Sequence, residues 1–334
     1  MRLSGIMGFI VPDTVLTNKY FGNLRRKILL NCSINRIIDL KKGIFSEAVV
    51  DTIILTLTKQ KIKNNKIFIG NSLNSIETIL AEQENFQNSN NNEFNIYFNK
   101  YLVGIKERMV KNSVLLGEIS KIYRGIVSWD NKKYVTENRV DERFKPLIIG
   151  KDATRYYLSY SGHYIQFDKR GVKTGGDKEI HEAKEKILIA LITGGMNYRV
   201  NAALDDHQYY VLQNYNNLII TEERFNIKYI LALLNSRLLN DYYTVFFNDK
   251  NIKRIQLMQL PIKKCDLKTQ ETIASLVNQM LSLQKRYHEE KLSGNEKEGV
   301  EQQIKNVDYE IDQEVYKLYG ITKEEQKIIE DSLR

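Results

Sequence analysis

The spacing of apolar residues changes near residue 266 of this 334-residue chain. Before that point apolar residues stand in short runs, which are typical of β-strands. Beyond it they recur every third or fourth residue over residues 270–292 and again over residues 300–318, on either side of the sequence SGNEKEG. This spacing predicts two amphipathic helices joined by a short turn. The chain is therefore expected to combine sheets with a C-terminal helical hairpin over residues 266–334, with a last short helix after the capping sequence Thr322-x-x-Glu325.

Residues 1–75 have the apolar runs of part of an α/β sheet. Strands are predicted at residues 6–11, 35–40, 48–58 and 67–69, and the continuous run at 6–11 is expected to be buried. The sequence KYFGNLRRKILLN has helical spacing, with the apolar residues Phe21, Leu24, Ile28 and Leu29 opposite the basic residues Arg25, Arg26 and Lys27. Because so small a sheet leaves an open edge and an uncovered apolar face, we expect low stability or self-association here.

The remaining organisation is predicted from shifts in composition. Residues 76–112 are expected to form a linker, because they include the Asn- and Ser-rich tract 85–92. Residues 113–265 alternate short β-type runs with turns and contain one amphipathic helix, 227–239, which predicts an α+β domain. The strands expected in this domain span residues 147–149, 164–167, 187–192, 209–212 and 218–221.

Net charge is +9, but it is unevenly distributed. Residues 1–75 carry 12 Lys and Arg against 4 Asp and Glu, residues 113–265 carry 24 against 17, and residues 266–334 carry 10 against 15. The two basic segments suit a polyanionic partner, and the acidic end suits a solvated or protein-facing helix.

The two cysteines and four histidines indicate neither a disulfide scaffold nor a metal site. Cys32 and Cys265 lie far apart and outside any Cys-x-x-Cys pattern, and the histidines lack metal-ligand spacing. No signal-peptide pattern and no apolar run of about 18 residues is present. We therefore expect a cytoplasmic protein without a membrane partner.

One loop carries side chains suited to reading nucleic acid. After residue 122 the chain turns at Arg124-Gly125 and continues as SWDNKKY, which holds the only Trp of the sequence. Aromatic rings can stack on bases, Asn can read an adenine edge, and Lys or Arg can contact phosphates or guanine. A solvated turn with one anchoring Trp explains the same residues. The candidates are Arg124, Trp129, Asn131, Lys132 and Lys133, with Lys250, Lys253 and Arg254 as candidate phosphate contacts further along the chain.

Taken in order, these segments resemble one family. The sequences GIMGFIVPDTVL, NLRRKIL, NRIIDL and IFSEAVVDTIILTL resemble the back half of the catalytic domain of amino-methylating DNA adenine methyltransferases. The sequences GEISKIYRGIVSWDNKKYV, PLIIGKDATRYYL, EKILIALITGG, YILALLNSRLLNDYY and IQLMQLPI resemble the TaqI-like C-terminal specificity domain of type IIG restriction–modification enzymes. Each match is moderately specific, and their order is more so.

The resemblance implies a partial Rossmann-like methyltransferase sheet, then an α+β target-recognition domain over residues 113–265. It implies duplex DNA as a partner, with an N-terminal methyltransferase or nuclease portion present in cis or in trans. The complete enzyme is expected to bind S-adenosylmethionine and to flip an adenine out of the duplex. The family pattern also adds loop residues near DNA: Lys151, Arg155, Arg199 and Asn201.

The sequence departs from the family in two respects. The three prolines are not adjacent, so the catalytic Asn-Pro-Pro-Tyr of these enzymes is absent. Gly5 and Gly8 precede and enter a strand, so they do not replace the glycine-rich turn that binds the cofactor. No catalytic or cofactor-binding residue is assigned, and we do not expect this chain to transfer methyl groups alone.

Other interpretations stay open. A non-enzymatic specificity subunit, as in type I systems, would also join reading domains to helical hairpins, although only one such domain is present and no internal repeat is found. An RNA-binding or structural α/β protein is a third class. Asp168 with Glu182 and Lys184 loosely fits a metal-dependent nuclease pattern, but such spacing arises easily by chance in a charged sequence.

Overall fold

The computed structural model describes residues 5–40, 51–70, 79–87, 89–94, 96, 100–150, 152–192, 198–247 and 251–332. The chain divides into two compact units, Met1–Gly104 and Ile105–Arg334. The architecture is mixed α/β with several sheets and a C-terminal helical region, as the sequence predicts. No helix among these residues is long and apolar enough to span a membrane.

The first unit is built on a five-stranded mixed sheet. The strands are β1 (Ile6–Pro12), β2 (Ser33–Asp39), β3 (Thr52–Thr58), β4 (Lys66–Gly70) and β5 (Ile79–Glu82), in the order β1-β3-β2-β4-β5. Strands β2 and β4 are parallel, and the other neighbours are antiparallel. Alternate side chains of β3 are buried, because one face of the sheet forms the core of this unit. The helices described from the start of the chain to residue 110 include α1 (Thr14–Thr17), α2 (Gly22–Asn31), α3 (Gln83–Gln87) and α4 (Lys100–Val110).

The predicted strand at residues 6–11 exists, but the prediction that it is buried was wrong. Among the described residues, strand β1 pairs only with β3 and lies at the edge of the sheet, and Ile6 is 71% exposed. Phe9 and Ile10 are also exposed. A continuous apolar run therefore marked an edge strand with an uncovered apolar surface.

The prediction that Arg25 lies on the solvent face of its helix was also wrong. Its side chain is fully buried, whereas Leu24 is exposed. The guanidinium donates to the carbonyl oxygens of Val15, Asn18, Asn91 and Asn92 at 2.8–3.1 Å. A planar group with five N–H donors can satisfy several loop carbonyls at once, which explains why a cation is retained in the interior.

The segment expected to be a linker, residues 76–112, contains regular structure where it is described. It includes β5, which pairs with β4, as well as α3 and α4. Within the polar tract, residues 85–87 end α3 and residues 90–92 form a short 3₁₀ helix. The functional boundaries near residues 113 and 266 stay predictions.

The second unit contains two four-stranded sheets. Their strands are β7 (Ser120–Arg124), β9 (Val135–Thr136), β10 (Phe144–Ile148), β13 (His163–Gln166), β15 (Lys186–Ala190), β16 (Ala202–Asp205), β17 (Tyr210–Val211) and β18 (Tyr215–Ile220). The first sheet has the order β16-β15-β18-β7, with every neighbour antiparallel, and the second has the order β17-β10-β13-β9. Three short pairs join β6 (Ser113–Leu115) to β19 (Pro261–Lys263), β8 (Val127–Ser128) to β14 (Val172–Thr174), and β11 (Ala153–Thr154) to β12 (Tyr157–Leu158).

The helices described in the second unit are α5 (Leu116–Ile119), α6 (Asn131–Tyr134), α7 (Lys178–His181), α8 (Ile227–Asn235), α9 (Arg237–Phe247), α10 (Arg254–Leu257), α11 (Leu267–Glu289), α12 (Gly294–Tyr319) and α13 (Lys323–Ser332). Helix α8 packs against β15 and β16 of the first sheet. Helix α11 packs against α8, and α12 and α13 pack against α9, around one large apolar core. The predicted hairpin α11–α12 and the predicted cap at Thr322 and Glu325 are confirmed.

The single helix predicted at 227–239 is two helices. Ser236 has an extended backbone conformation, and its hydroxyl donates to the carbonyl of Leu233 and accepts from the amide of Leu239. A serine that caps the following helix in this way ends the preceding one. The break places Asn235 at the end of α8 and Arg237 at the beginning of α9.

Candidate nucleic-acid interface

Separate chain segments meet at one end of the sheet β16-β15-β18-β7. Because neighbouring strands are antiparallel, the ends of β7 and β15 lie beside the beginnings of β18 and β16. Arg124 is the last residue of β7, and its Nε donates to the carbonyl of Gln213, just before β18, at 3.0 Å. The carbonyl of Asn201, just before β16, accepts from the amide of Ala190 at 3.3 Å. We call this end of the sheet the loop end.

The segment around Lys253 joins the same end. The amide of Ile252 donates to the carbonyl of Leu191, the residue after β15, at 2.8 Å. This bond holds the beginning of helix α10 there, and Lys253 and Arg254 are both exposed. The antiparallel strand order thus brings the segments that carry Arg124 and Arg199 to this end, and the bond to Leu191 brings the segment that carries Lys253 and Arg254.

The loop that carries Trp129 follows directly from the loop end. The amide of Ile126 donates to the carbonyl of Val211 at 2.8 Å, and β8 pairs with β14. A Cβ atom at Gly125 would overlap the backbone carbonyl of Leu212, so this close approach requires glycine. The chain is therefore held firmly on both sides of the turn that was identified from the sequence.

The loop itself is stabilised locally and presents its large side chain to solvent. The amide of Trp129 donates to the carbonyl of Gly171 at 3.2 Å, and the Asp130 carboxylate accepts from the amide of Lys132 at 2.9 Å. This carboxylate caps helix α6, which carries Asn131, Lys132 and Lys133, all exposed. The Trp129 side chain is 59% exposed. A rigid loop with an exposed indole and two cations can stack on a base and contact phosphates.

A second group of cations lies next to Trp129 and was not selected from the sequence. The Lys173 ammonium lies 5.1 Å from the centre of the Trp129 ring, and Lys169 and Arg170 are exposed in the preceding turn. Asp168 shapes that turn by accepting from the amides of Arg170 and Gly171 at 2.8 and 3.1 Å. A hydrogen bond from the Gln166 side chain, followed by these backbone amides, lowers the pKa of the Asp168 carboxyl. The basic sequence KRGVK, residues 169–173, is the feature from which this group of cations could have been predicted.

The side chains of two further predicted residues, Arg155 and Asn201, are engaged or buried within the unit. Arg155 makes a bidentate ion pair with Asp308 of α12, at 2.5 and 2.8 Å, and donates twice to the carbonyl of Asn235. Asn201 is buried. Arg199 is half-buried at the loop end. Lys151 and Lys250 lie outside the described residues, so the structure describes ten of the twelve predicted positions.

The carboxylates of the loose nuclease pattern are engaged elsewhere. Asp168 serves the turn described above, and Glu182 accepts a hydrogen bond from the Tyr210 hydroxyl at 2.8 Å and lies 3.4 Å from the Lys178 ammonium. Within the part of the chain that is described, no group of three His, Cys, Asp or Glu side chains is arranged to hold a metal ion.

Two family models match the chain. The N-6 DNA Methylase model matches residues 1–143, and the model of the TaqI-like C-terminal specificity domain matches residues 145–262. The chain is 23% identical over 264 residues to the putative type II restriction enzyme and methyltransferase RM.MjaORFECS2P of Methanocaldococcus jannaschii. That match covers 73% of this chain and 21% of the relative, so the chain spans about a fifth of the length of that protein.

Solved structures align with the chain at low sequence identity. The type IIL restriction–modification enzyme MmeI, determined in complex with DNA, aligns with a TM-score of 0.58 and 11% identity over 98% of this chain and 49% of MmeI. The type IIG restriction endonuclease BpuSI aligns with a TM-score of 0.42 and 11% identity over 96% of this chain and 48% of BpuSI. Residues 1–143 thus match the N-6 DNA Methylase model and residues 145–262 match the model of the TaqI-like C-terminal specificity domain, which confirms the resemblance to restriction–modification methyltransferases predicted from the sequence.

Proposed function

We propose that residues 113–265 read a specific sequence of duplex DNA, as the target-recognition domain of a type IIG restriction–modification adenine methyltransferase. The observation that carries the proposal is the convergence at the loop end of the sheet. Arg124, Arg199, Lys253 and Arg254 come from separate segments, and the Trp129 loop continues from the same end. Several cations on one side of a domain are what phosphate contact requires.

The roles within this site are proposed from side-chain chemistry. Lys173 lies beside the exposed indole, and Lys132 and Lys133 are exposed on the short helix that follows it. All three would contact phosphates, which positions the domain without reading sequence. Trp129 would stack on a base or on the sugar–phosphate backbone, and Asn131 would contact a base edge. Arg155 and Asn201 are left out of this contact set because their side chains are committed inside the unit.

The first unit is proposed to be the back half of a Rossmann-like methyltransferase sheet. The match of residues 1–143 to the N-6 DNA Methylase model supports this, as does the parallel pair β2–β4 with α2 preceding β2. The exposed apolar side chains of the edge strand β1 would be covered by the rest of the catalytic domain, supplied in cis or in trans.

The described residues do not fit the S-adenosylmethionine that such a domain would use. Gly8 lies within edge strand β1, opposite Thr56, and nothing lies within 4 Å of a Cβ built on it. It therefore forms no close cradle between a strand and a helix. No methyl-transfer step is derived for this chain, and its proposed contribution is recognition.

The test is selection of bound sequences from randomised duplex DNA over several rounds, at two salt concentrations. Enrichment of one short motif is expected, with an affinity whose logarithm falls linearly with the logarithm of salt concentration. The matched control carries Ala at Lys305, Lys317 and Lys323, exposed cations of α12 and α13, and should select the same motif with the same affinity.

Salt-sensitive binding that enriches no motif would mean that sequence specificity requires the complete enzyme. No binding at low salt would overturn the proposal. Selection of a motif in two parts, repeated in inverted order and bound by a dimer, would instead favour a specificity subunit of the type I kind.

A further inference from the structure

Tyr198 is held between two arginines beside the loop end of the sheet. The guanidinium carbon of Arg155 lies 4.2 Å from the centre of the Tyr198 ring, and Arg237 Nε donates to the Tyr198 hydroxyl at 3.1 Å. Stacking fixes the plane of the ring, and the hydrogen bond fixes its rotation within that plane. The side chain of Tyr198 thus has one defined position.

Each arginine is held in turn by a carboxylate of helix α12. Arg155 makes its bidentate pair with Asp308, and Arg237 Nε lies 3.1 Å from Asp312 Oδ2. The backbone amide of Arg237 also donates to Asp312 Oδ1 at 2.8 Å. Asp308 and Asp312 are four residues apart and therefore lie on one face of the helix.

The chain that follows Tyr198 is fixed by two buried asparagines. Asn240 Oδ1 accepts from the amide of Val200 at 2.7 Å. The Asn235 side chain accepts from the amide of Ala202 at 3.0 Å and donates to the carbonyl of Ala202 at 2.9 Å. Side chains of α8 and α9 thus hold the path of residues 198–202 as it enters β16. We call this set of contacts the Tyr198 clamp: Asp308, Asp312, Arg155, Arg237, Asn235 and Asn240 around residues 198–202.

The clamp is incompletely satisfied. Arg237 has a single Nε–H, and because it donates to Tyr198, Asp312 Oδ2 is left with a charge contact but without a hydrogen-bond donor among the described residues. Asp312 is almost fully buried. Apolar residues would pack this position without such a cost. A buried polar network of this kind is better explained if it holds Tyr198 in one position than if it only stabilises the fold.

We propose that Asp308 and Asp312 are positioning residues for DNA recognition. Through Arg155 and Arg237 they fix Tyr198, and with it the short segment that carries Arg199 at the loop end of the sheet. The helical hairpin α11–α12 then determines the position of this segment at the DNA, in addition to covering the core. The inference rests on the proposed function of residues 113–265.

Two variants separate positioning from folding. Tyr198→Phe keeps the ring that stacks on Arg155 and removes only the hydroxyl that accepts from Arg237. Asp312→Asn keeps the shape of the side chain and removes its charge. Glu310→Gln is the matched control, because it makes the same change of charge at an exposed position of α12.

The first readout is hydrogen exchange at the amides of Val200 and Ala202 in the DNA-free chain, measured at about pH 8, where the Asp312 carboxyl is charged. Exchange is expected to be at least about tenfold faster in Tyr198→Phe and Asp312→Asn than in wild type and the control. The second readout is the ratio of affinities for the selected motif and for random duplex. It is expected to fall about tenfold, with unchanged binding to random duplex, because the exposed cations remain.

The outcomes distinguish the two proposals. Unchanged exchange in Tyr198→Phe would show that the Tyr198 clamp does not hold residues 198–202 and would overturn the proposal. Faster exchange with an undiminished affinity ratio would overturn its role in recognition and leave the proposed function standing. Wild-type chain without preference for any motif would overturn the proposed function and the positioning role together, while the exchange data would still report on the clamp.

Discussion

Lys186 and Asp205 face each other across strands β15 and β16 and form an ion pair at 2.5 Å with both side chains fully buried. The Lys186 ammonium also donates to the carbonyl of His181 at 2.6 Å, and the Asp205 carboxylate accepts from the amides of His207 and Tyr209. Burial lowers the pKa of Lys186, and the adjacent carboxylate opposes this effect. The pair thus joins the first sheet to the loops that lead into β17.

Removing one partner of this pair should be costly. Lys186→Met leaves a buried carboxylate without its counter-charge, and we expect a loss of about 3–5 kcal/mol in the free energy of unfolding. Denaturant titration measures it, with the exposed Lys305→Met as control. A loss below about 1 kcal/mol would mean that water reaches Asp205 in the folded protein.

The buried Asp312 carboxyl should make stability depend on pH. Burial, with a further contribution from Asp308, raises its pKa from 3.8 to about 7, against the opposing effects of Arg155 and Arg237. Because the folded state binds the proton more tightly, the stabilisation is complete below about pH 4 and is lost as pH rises through 7. The effect amounts to a few kcal/mol, at about 1.4 kcal/mol for each unit of pKa.

Asp312→Asn tests this expectation, since the amide does not titrate. Unfolding free energies of both proteins, measured at intervals from pH 4 to pH 8, should diverge, with wild type losing stability relative to the variant as pH rises. Parallel curves would show that Asp312 is ionised throughout this range.

Gly125 and Gly299 should respond in opposite directions to the same substitution. Gly125→Ala drives a methyl group into the carbonyl of Leu212 and should destabilise the protein by about 1–3 kcal/mol. Nothing lies within 4 Å of a Cβ at Gly299 in α12, so Gly299→Ala should be neutral or stabilise by up to about 1 kcal/mol. Thermal unfolding of both variants, followed at two protein concentrations, measures these changes in stability. Similar losses of stability in the two variants would contradict the close approach of Leu212 to Gly125.

Trp129 is the only tryptophan of the chain, so its fluorescence reports on the proposed contact loop directly. Saturation with the selected duplex should quench the emission, and Trp129→Ala should weaken binding by about 1–3 kcal/mol. Tyr20→Ala, at an exposed ring of the first unit, is the control and should bind normally. Tight binding without any change in emission would place DNA away from this loop.

Phosphate contacts should appear in the salt dependence. If Lys132 and Lys133 each contact one phosphate, the variant with Ala at both positions should lower the slope of log affinity against log salt by about 1.8, at about 0.9 for each contact. Binding isotherms at four or more salt concentrations measure the slope, with the Ala variant of Lys305 and Lys317 as reference. If the variant and the reference have equal slopes, neither Lys132 nor Lys133 contacts a phosphate.

Several elements could be predicted from the sequence, because a helix or strand that is buried on one side has a regular spacing of apolar residues. The stripes of α11 and α12 repeat at the helical period, and the β-branched runs of β2 and β3 lie between polar breaks. The loop with Trp129 was also located correctly, because Gly125 and the polar residues after it interrupt the apolar pattern. Whether that loop contacts DNA stays a prediction.

Other features were decided only by the tertiary structure. The run at β1 looked buried but lies at an edge, since the sequence does not state which strands become neighbours. Arg25 was predicted to lie on the solvent side of its helix and Arg155 to lie near DNA, yet Arg25 satisfies four carbonyl oxygens and Arg155 pairs with Asp308, 153 residues away. Periodicity determines which side of an element faces a core, because burial follows local geometry. The partner of a long charged side chain depends on which distant segments the fold brings within its reach, and no local pattern contains that information.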